Sequence, residues 1–185
     1  MAWVIDPSHS QVGFSVRHMM LAKTRGRFES FTGTVELDEQ TPHLAKVDVT
    51  IDVDSINTRD AQRDGHLKGA DFFDAAAHDK IRFVSTSVAQ IDPTHAKLHG
   101  DLSIRGITKS ATLDVEYVGK SKSPWGTTNV GFSAQTVINR EDWGLTWNQA
   151  LETGGVLVGK DVTIEIDVEL IEQVDAPAPD ATVAV

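Results

Sequence analysis

The sequence predicts an all-β domain of about eight antiparallel strands, with one or two short helical segments. Three observations carry this. Apolar residues recur every second position over most of the chain. Turn-forming residues separate these alternating runs, and the links between them are short, which favours antiparallel neighbours.

Taken along the chain, Val12, Phe14 and Val16 alternate with Gln11, Gly13 and Ser15. Ala45, Val47, Val49, Ile51 and Val53 alternate with Lys46, Asp48, Thr50 and Asp52. The same pattern runs through Ala111 to Tyr117, Val130 to Ile138 and Val162 to Leu170, and more weakly through Phe31 to Leu37, Ile81 to Ile91 and Ala96 to Ile104. Such alternation gives each strand one dry face and one wet face. Gln40-Thr41-Pro42, Asp92-Pro93-Thr94, Arg105-Gly106-Ile107-Thr108 and Ser123-Pro124-Trp125-Gly126 mark the turns. Two stretches break the period. Asn57 to Lys68 is polar and helix-compatible, with Asn57 or Thr58 expected as its N-cap. Asn139 to Asn148 is irregular. One dry face per strand is satisfied either by a two-sheet sandwich or by a closed barrel. Periodicity does not choose between them, although small inward residues such as Ala45, Ala96, Gly100, Ala111 and Ala134 leave room for a cavity.

The totals bound the class. A chain of 185 residues suits one domain with a sizeable core. A net charge of -10 argues against nucleic acid as the main partner, because phosphate binding wants a basic face. The absence of cysteine excludes disulfides, thiolate catalysis and cysteine-ligated zinc. The opening Met1-Ala2-Trp3-Val4-Ile5-Asp6-Pro7 has neither a basic nor an apolar leader region, so a cytoplasmic protein is expected. Residues 1–172 are expected to form the fold, and 173–185, rich in Ala and Pro, a flexible tail.

Several ordered blocks then resemble the YceI-like, polyisoprenoid-binding family. They are Trp3-x-Ile5-Asp6-Pro7-x-His9-Ser10; Val12-x-Phe14-Ser15-Val16-Arg17-His18; Gly26-x-Phe28; Ser55-Ile56-Asn57-Thr58; His66-Leu67-Lys68-Gly69-Ala70-Asp71-Phe72-Phe73-Asp74; Gly100 to Thr108; and Ile138-Asn139-Arg140-Glu141-Asp142-Trp143-Gly144-Leu145. The resemblance spans Trp3 to about Leu170. After Asp74 the sequence departs from the family pattern, with Ala75 to Asp79 where a tyrosine-proline pair is usual, which concerns only a loop.

The resemblance implies a lipocalin-like antiparallel barrel with an apolar tunnel. It implies a binding protein and not an enzyme, without a cofactor or metal, whose ligand is a long isoprenoid lipid of the polyprenyl quinone or polyprenyl phosphate type. An isoprenoid tail offers no hydrogen bonds, so its container needs apolar walls. The expected tail-binding wall is Phe14, Val16, Val49, Ile51, Phe73, Phe83, Leu102, Leu113, Phe132, Trp143 and Ile164, each of which reads equally as plain core. The expected headgroup or rim residues are Arg17, His18, Met20, Arg25, Arg59 and His66, with Lys23 and Arg27 beside them. His18 continues the dry face of its strand, and Met19, Met20 and Leu21 form a pliable lip. The alternative for this segment is a solvated hairpin whose charges keep an edge soluble. Trp143 and Trp147 either line a tunnel end or plug it, and Arg140 with Asp142 reads as a structural salt link. Transient membrane contact and a homodimer are compatible with these features.

Two other functions compete. A metal-dependent enzyme is disfavoured by scattered histidines without HxH or HExxH spacing, and a serine hydrolase by the lack of a GxSxG elbow. A protein-interaction barrel filled by its own side chains would show the same alternation.

Overall fold

The computed structural model describes residues 2–173. The strands are β1 (Ala2–Ile5), β2 (Gln11–His18), β3 (Ala22–Phe28), β4 (Phe31–Glu36), β5 (Lys46–Asp52), β6 (Ile56–Asn57), β7 (Lys80–Gln90), β8 (His95–Ile104), β9 (Ile107–Lys122), β10 (Thr128–Asn139) and β11 (Val158–Glu172), with one helix, α1 (Ala61–Lys68). All pairings are antiparallel, and β1 meets β11 to close the sheet on itself. The dry faces therefore turn inward on a barrel, not onto a second sheet.

The eleven strand segments make eight barrel strands, because three of the eight are broken once. β1 and β2 both lie along β11, and β4 and β3 flank them on the other side. They form one strand bent between Asp6 and Ser10. β3 and β4 form the next, broken at Glu29 and Ser30, and β5 and β6 the third, broken by the 3₁₀ turn Val53–Ser55. Each break changes which parity faces inward. Even residues Val12, Phe14 and Val16 face in on β2, whereas Trp3 and Ile5 face in on β1. Phe28 is inward on β3, and Phe31 and Val35 on β4.

Helix α1 starts later than expected. Asp60, not Asn57 or Thr58, is its N-cap, and its carboxylate accepts from the N–H groups of Gln62 (3.1 Å) and Arg63 (3.0 Å). Asn57 is held in β6, and Thr58 is buried, its N–H donating to the Asp64 carboxylate at 2.9 Å. Arg59 supplies the turn at φ 63°. The helix itself buries no residue. Its anchor is the aromatic pair on its C-terminal side, where Phe72 is buried and Phe73 meets Phe28 edge to face at 6.0 Å. The segment after β10 is a 3₁₀ turn over Arg140–Trp143, capped by the Asn139 side chain, which accepts from the Glu141 N–H at 3.0 Å.

Two glycines admit aromatic rings against the barrel wall. A Cβ on Gly26 would lie 2.4 Å from the Phe14 ring, and one on Gly100 would lie 2.4 Å from the Phe83 ring and 2.6 Å from the Val84 carbonyl. Gly100→Ala is therefore expected to destabilise the barrel by about 1–3 kcal/mol through overpacking. Urea unfolding checks this; an unchanged midpoint would mean that the Phe83 ring and the backbone at Val84 both give way freely.

Gln173, the first residue assigned to the tail, still donates its N–H to the Ala2 carbonyl at 3.1 Å. The rest of the expected tail lies outside the described residues.

Candidate functional site

An inward apolar side chain in a filled barrel is buried. Here many are not. Phe14, Val16, Val49, Ile51, Phe73, Phe83, Phe132 and Ile164 point inward yet stay half-buried, because they face a space. That space is a cavity of about 370 Å³, within the range of small-molecule sites. Leu102, Leu113 and Trp143 are buried and complete the expected wall. Every residue of that wall lines the cavity. Val35, Leu37, Val88, Leu98, Val115 and Ile166 line it too. All but Val88 lie on the same alternating faces and carry the same sequence signal as the expected wall; Val88 turns inward because a bulge between Ser85 and Ser87 shifts the parity of β7.

The wall is carbon almost throughout. Among the described residues no buried side-chain nitrogen or oxygen lacks a hydrogen-bond partner. The hollow therefore offers an occupant dispersion and desolvation but no polar anchor.

None of the expected rim residues lines the cavity. Arg17, His18, Met20 and Arg25 are exposed on the β2–β3 hairpin, and Arg17 Nη1–H donates to the Leu21 carbonyl at 3.2 Å. His18 keeps the parity of the dry face but is exposed and does not line the hollow, paired with Val158 and Ala22. Arg59 and His66 are exposed around α1. His66 stands edge-on to Trp147 (4.7 Å) and Phe72 (5.1 Å), with Nε2 2.8 Å from the Asp71 carboxylate. Trp147 packs on this outer cluster, whereas Trp143 lines the cavity and donates Nε1–H to the Leu102 carbonyl at 2.9 Å.

Arg140 differs from expectation. It forms no ion pair with Asp142. Its guanidinium is buried and donates to the carbonyls of Gly159 (Nε–H, 2.8 Å) and Leu145 (Nη1–H). Burial pushes its pKa down. Asn148 adds a second tie, exchanging bonds with Val158 at 2.7 and 3.0 Å. Together they lash the segment between β10 and β11 to the barrel.

Asp6, His9 and Glu169 present ligand atoms within 4.8 Å of one another. They sit outside the cavity, at the bend between β1 and β2, and their atoms are already engaged. His9 Nδ1 is 2.8 Å from Asp6 Oδ2, Asp6 Oδ1 accepts from Ser8, and Asn129 Nδ2–H donates to Glu169. The hydrogen bonds from His9 and Ser8 hold the Asp6 carboxyl at about 2, and Asp6 raises the His9 pKa above its ordinary 6.5. The raised histidine stabilises the bend below pH 6.5 and loses that effect as pH rises through its folded value. The lowered carboxyl stabilises it above 3.8 and loses the effect as pH falls toward 2. His9→Gln is thus expected to lower Tm most between pH 3.8 and 6.5 and least in alkali. A pH series of thermal melts checks this, and a pH-independent difference would remove the linkage.

The class of protein is now defined: a closed eight-stranded antiparallel barrel around an apolar hollow. The YceI-like domain model matches residues 3–170, and the chain belongs to the YceI-like family. It is 44% identical over 168 residues to UPF0312 protein SAS2572 of Staphylococcus aureus (strain MSSA476), covering 90% of this chain and 95% of that protein. The crystal structure of the Campylobacter jejuni YCEI protein superposes with a TM-score of 0.74 at 30% identity, covering 85% of this chain and 90% of that one. A polyisoprenoid binding domain from Saccharophagus degradans, implicated in plant cell wall breakdown, shares the fold at a TM-score of 0.65 and 14% identity, covering 92% of this chain and 98% of that one. No helix among the described residues is long and apolar enough to cross a membrane.

Proposed function

We propose that this protein binds a long-chain isoprenoid lipid, of the polyprenyl quinone or polyprenyl phosphate type, and carries or sequesters it without chemical change. The observation that carries the reading is the hollow itself: inward residues such as Phe14, Phe83 and Phe132 keep accessible carbon surface inside a closed barrel. A filled interaction barrel would not leave them so. Membership of the YceI-like family and the polyisoprenoid binding named for the Saccharophagus degradans domain support the same ligand class.

Tail burial is worth roughly 0.8 kcal/mol per CH₂ against water. A bilayer offers nearly the same, so the protein competes with membranes on even terms and exchanges its lipid with them. With carbon walls inside, the polar headgroup stays outside the hollow, and selection inside acts on tail shape.

The test is solvent extraction of the purified protein followed by mass spectrometry, with uptake of a fluorescent polyprenyl probe. A stoichiometric isoprenoid, or saturable uptake, is the expected result. Neither one, with stoichiometric zinc or iron on elemental analysis, would return the metal-enzyme reading.

A further inference from the structure

We propose that the β2–β3 hairpin docks the protein on an anionic lipid bilayer. From Pro7 to Phe28 the chain has no carboxylate, although the protein as a whole carries a net charge of -10. Arg17, Lys23, Arg25 and Arg27 all fall in that stretch. Arg17 and Lys23 are directly opposed across the hairpin, and Arg25 and Arg27 succeed Lys23 at two-residue steps. All four therefore leave the same, outer face. Like charges set opposite one another weaken a strand pair. Arg27 is paired with Glu29 at 2.8 Å. Among the described residues Arg17, Lys23 and Arg25 meet no carboxylate, whereas cations on the barrel wall such as Lys46, Lys80, Arg82, Lys97 and Lys120 all do. The fold tolerates this repulsion without compensating it, and a layer of lipid phosphates would compensate it.

The hairpin tip makes the same point in apolar terms. Met19 (φ 53°) and Met20 (φ 62°) are both left-handed, a two-residue turn closed by the Leu21 N–H on the His18 carbonyl at 3.0 Å. Asn-Gly would make that turn at less steric cost. Instead it presents three large apolar side chains to solvent, with Met20 62% and Leu21 76% exposed. An apolar tip between basic flanks matches an anionic membrane surface, where the tip enters the acyl boundary and the cations meet phosphates. The distant acidic surface does not cancel this, because charges beyond about 8 Å are largely screened at physiological salt. The cavity reaches Val16 and Val158, at the base of this hairpin, so docking would bring bilayer and hollow together.

This extends the carrier reading, but it is measured apart from it, on delipidated protein. Vesicles of phosphatidylcholine alone and of phosphatidylcholine with phosphatidylglycerol in equal parts are sedimented with the protein. Binding to the mixed vesicles only is expected. With about 1 kcal/mol per basic residue at such a surface, Arg17→Gln/Lys23→Gln/Arg25→Gln should weaken it on the order of a hundredfold. Met20→Ser/Leu21→Ser should weaken it independently. The charge-matched control Lys97→Gln/Lys109→Gln/Lys122→Gln should bind as the wild type does. Equal binding to both vesicles, or equal loss in the hairpin and control triples, would overturn the proposal. Because every hairpin substitution is on an exposed side chain, isoprenoid uptake from detergent should be unchanged in them. Loss of that uptake would return the hairpin to the rim of the ligand site and overturn docking as its separate role.

Discussion

Ala134→Phe abolishes isoprenoid uptake while leaving the barrel folded: this is the largest functional effect expected. Ala134 sits on β10 between Val115 and Ile166, half-buried, with its methyl group directed into the cavity. A phenyl ring there occupies space that an isoprenoid tail would fill. Excluding one five-carbon unit removes about 4 kcal/mol of tail burial, nearly a thousandfold in affinity. The ring buries its own apolar surface in a void, so the fold does not suffer, and Tm should hold or rise. Gln135→Phe is the control, since Gln135 is exposed on the opposite face of the same strand. Probe titration and thermal melts read both quantities. Undiminished uptake by a folded Ala134→Phe protein would place the ligand elsewhere.

Arg140→Met has the largest expected effect on stability. The guanidinium is buried and its donors end on the Gly159 and Leu145 carbonyls and, at 3.4 Å, on that of Val158, which Asn148 also holds. Methionine keeps the length of the side chain and supplies no donor. Two carbonyls then lose their partners, at about 1–3 kcal/mol each. The loss should be about 2–5 kcal/mol, measured by chemical denaturation. Asp142→Asn should cost almost nothing, because Asp142 takes no part in the tie. The reverse ranking would restore the expected Arg140–Asp142 salt link.

Much of the fold is legible from residues alone. Where a strand runs unbroken and one face is dry, as in Val162 to Leu170, the period of two states both the element and its inward side. The strands β1, β3 and β6 are not legible this way, for two reasons. β1 and β6 are short, and each lies across a break where inward parity shifts, so no single period runs through them. On β3 the inward positions before Phe28 are Thr24 and Gly26, which look polar or empty, because Phe14 from the neighbouring strand fills the space over Gly26. Helix α1 is legible as polar and helical, but its cap is not. Asn57, Thr58 and Asp60 are all competent caps; the pairing of β6 with β3 holds Asn57 in the sheet, and Thr58 is buried with its N–H and hydroxyl on the Asp64 carboxylate, which leaves Asp60.

The candidate site divides in the same manner. Apart from Phe73 and Trp143, which lie off the strands, the expected apolar wall can be named from alternation because each inward residue carries its own label. The rim cannot. Arg17, His18 and Arg25 gather on the hairpin and Arg59 and His66 around α1, and neither group faces the hollow. A polar side chain does not announce in sequence whether it turns toward a cavity, a neighbour or water. Arg140 shows the limit most plainly, since its partners are backbone carbonyls and every residue has one.

By itself, then, the sequence determined an antiparallel all-β chain, its dry faces and the residues on them, because side-chain alternation is a local property of extended backbone. Only the tertiary structure decided that those faces close into a barrel and that the barrel is hollow. Closure depends on the β1–β11 pairing of segments at opposite ends of the chain, and hollowness on whether side chains from many strands jointly fill the space they enclose. Both are sums over distant residues, which no local pattern contains.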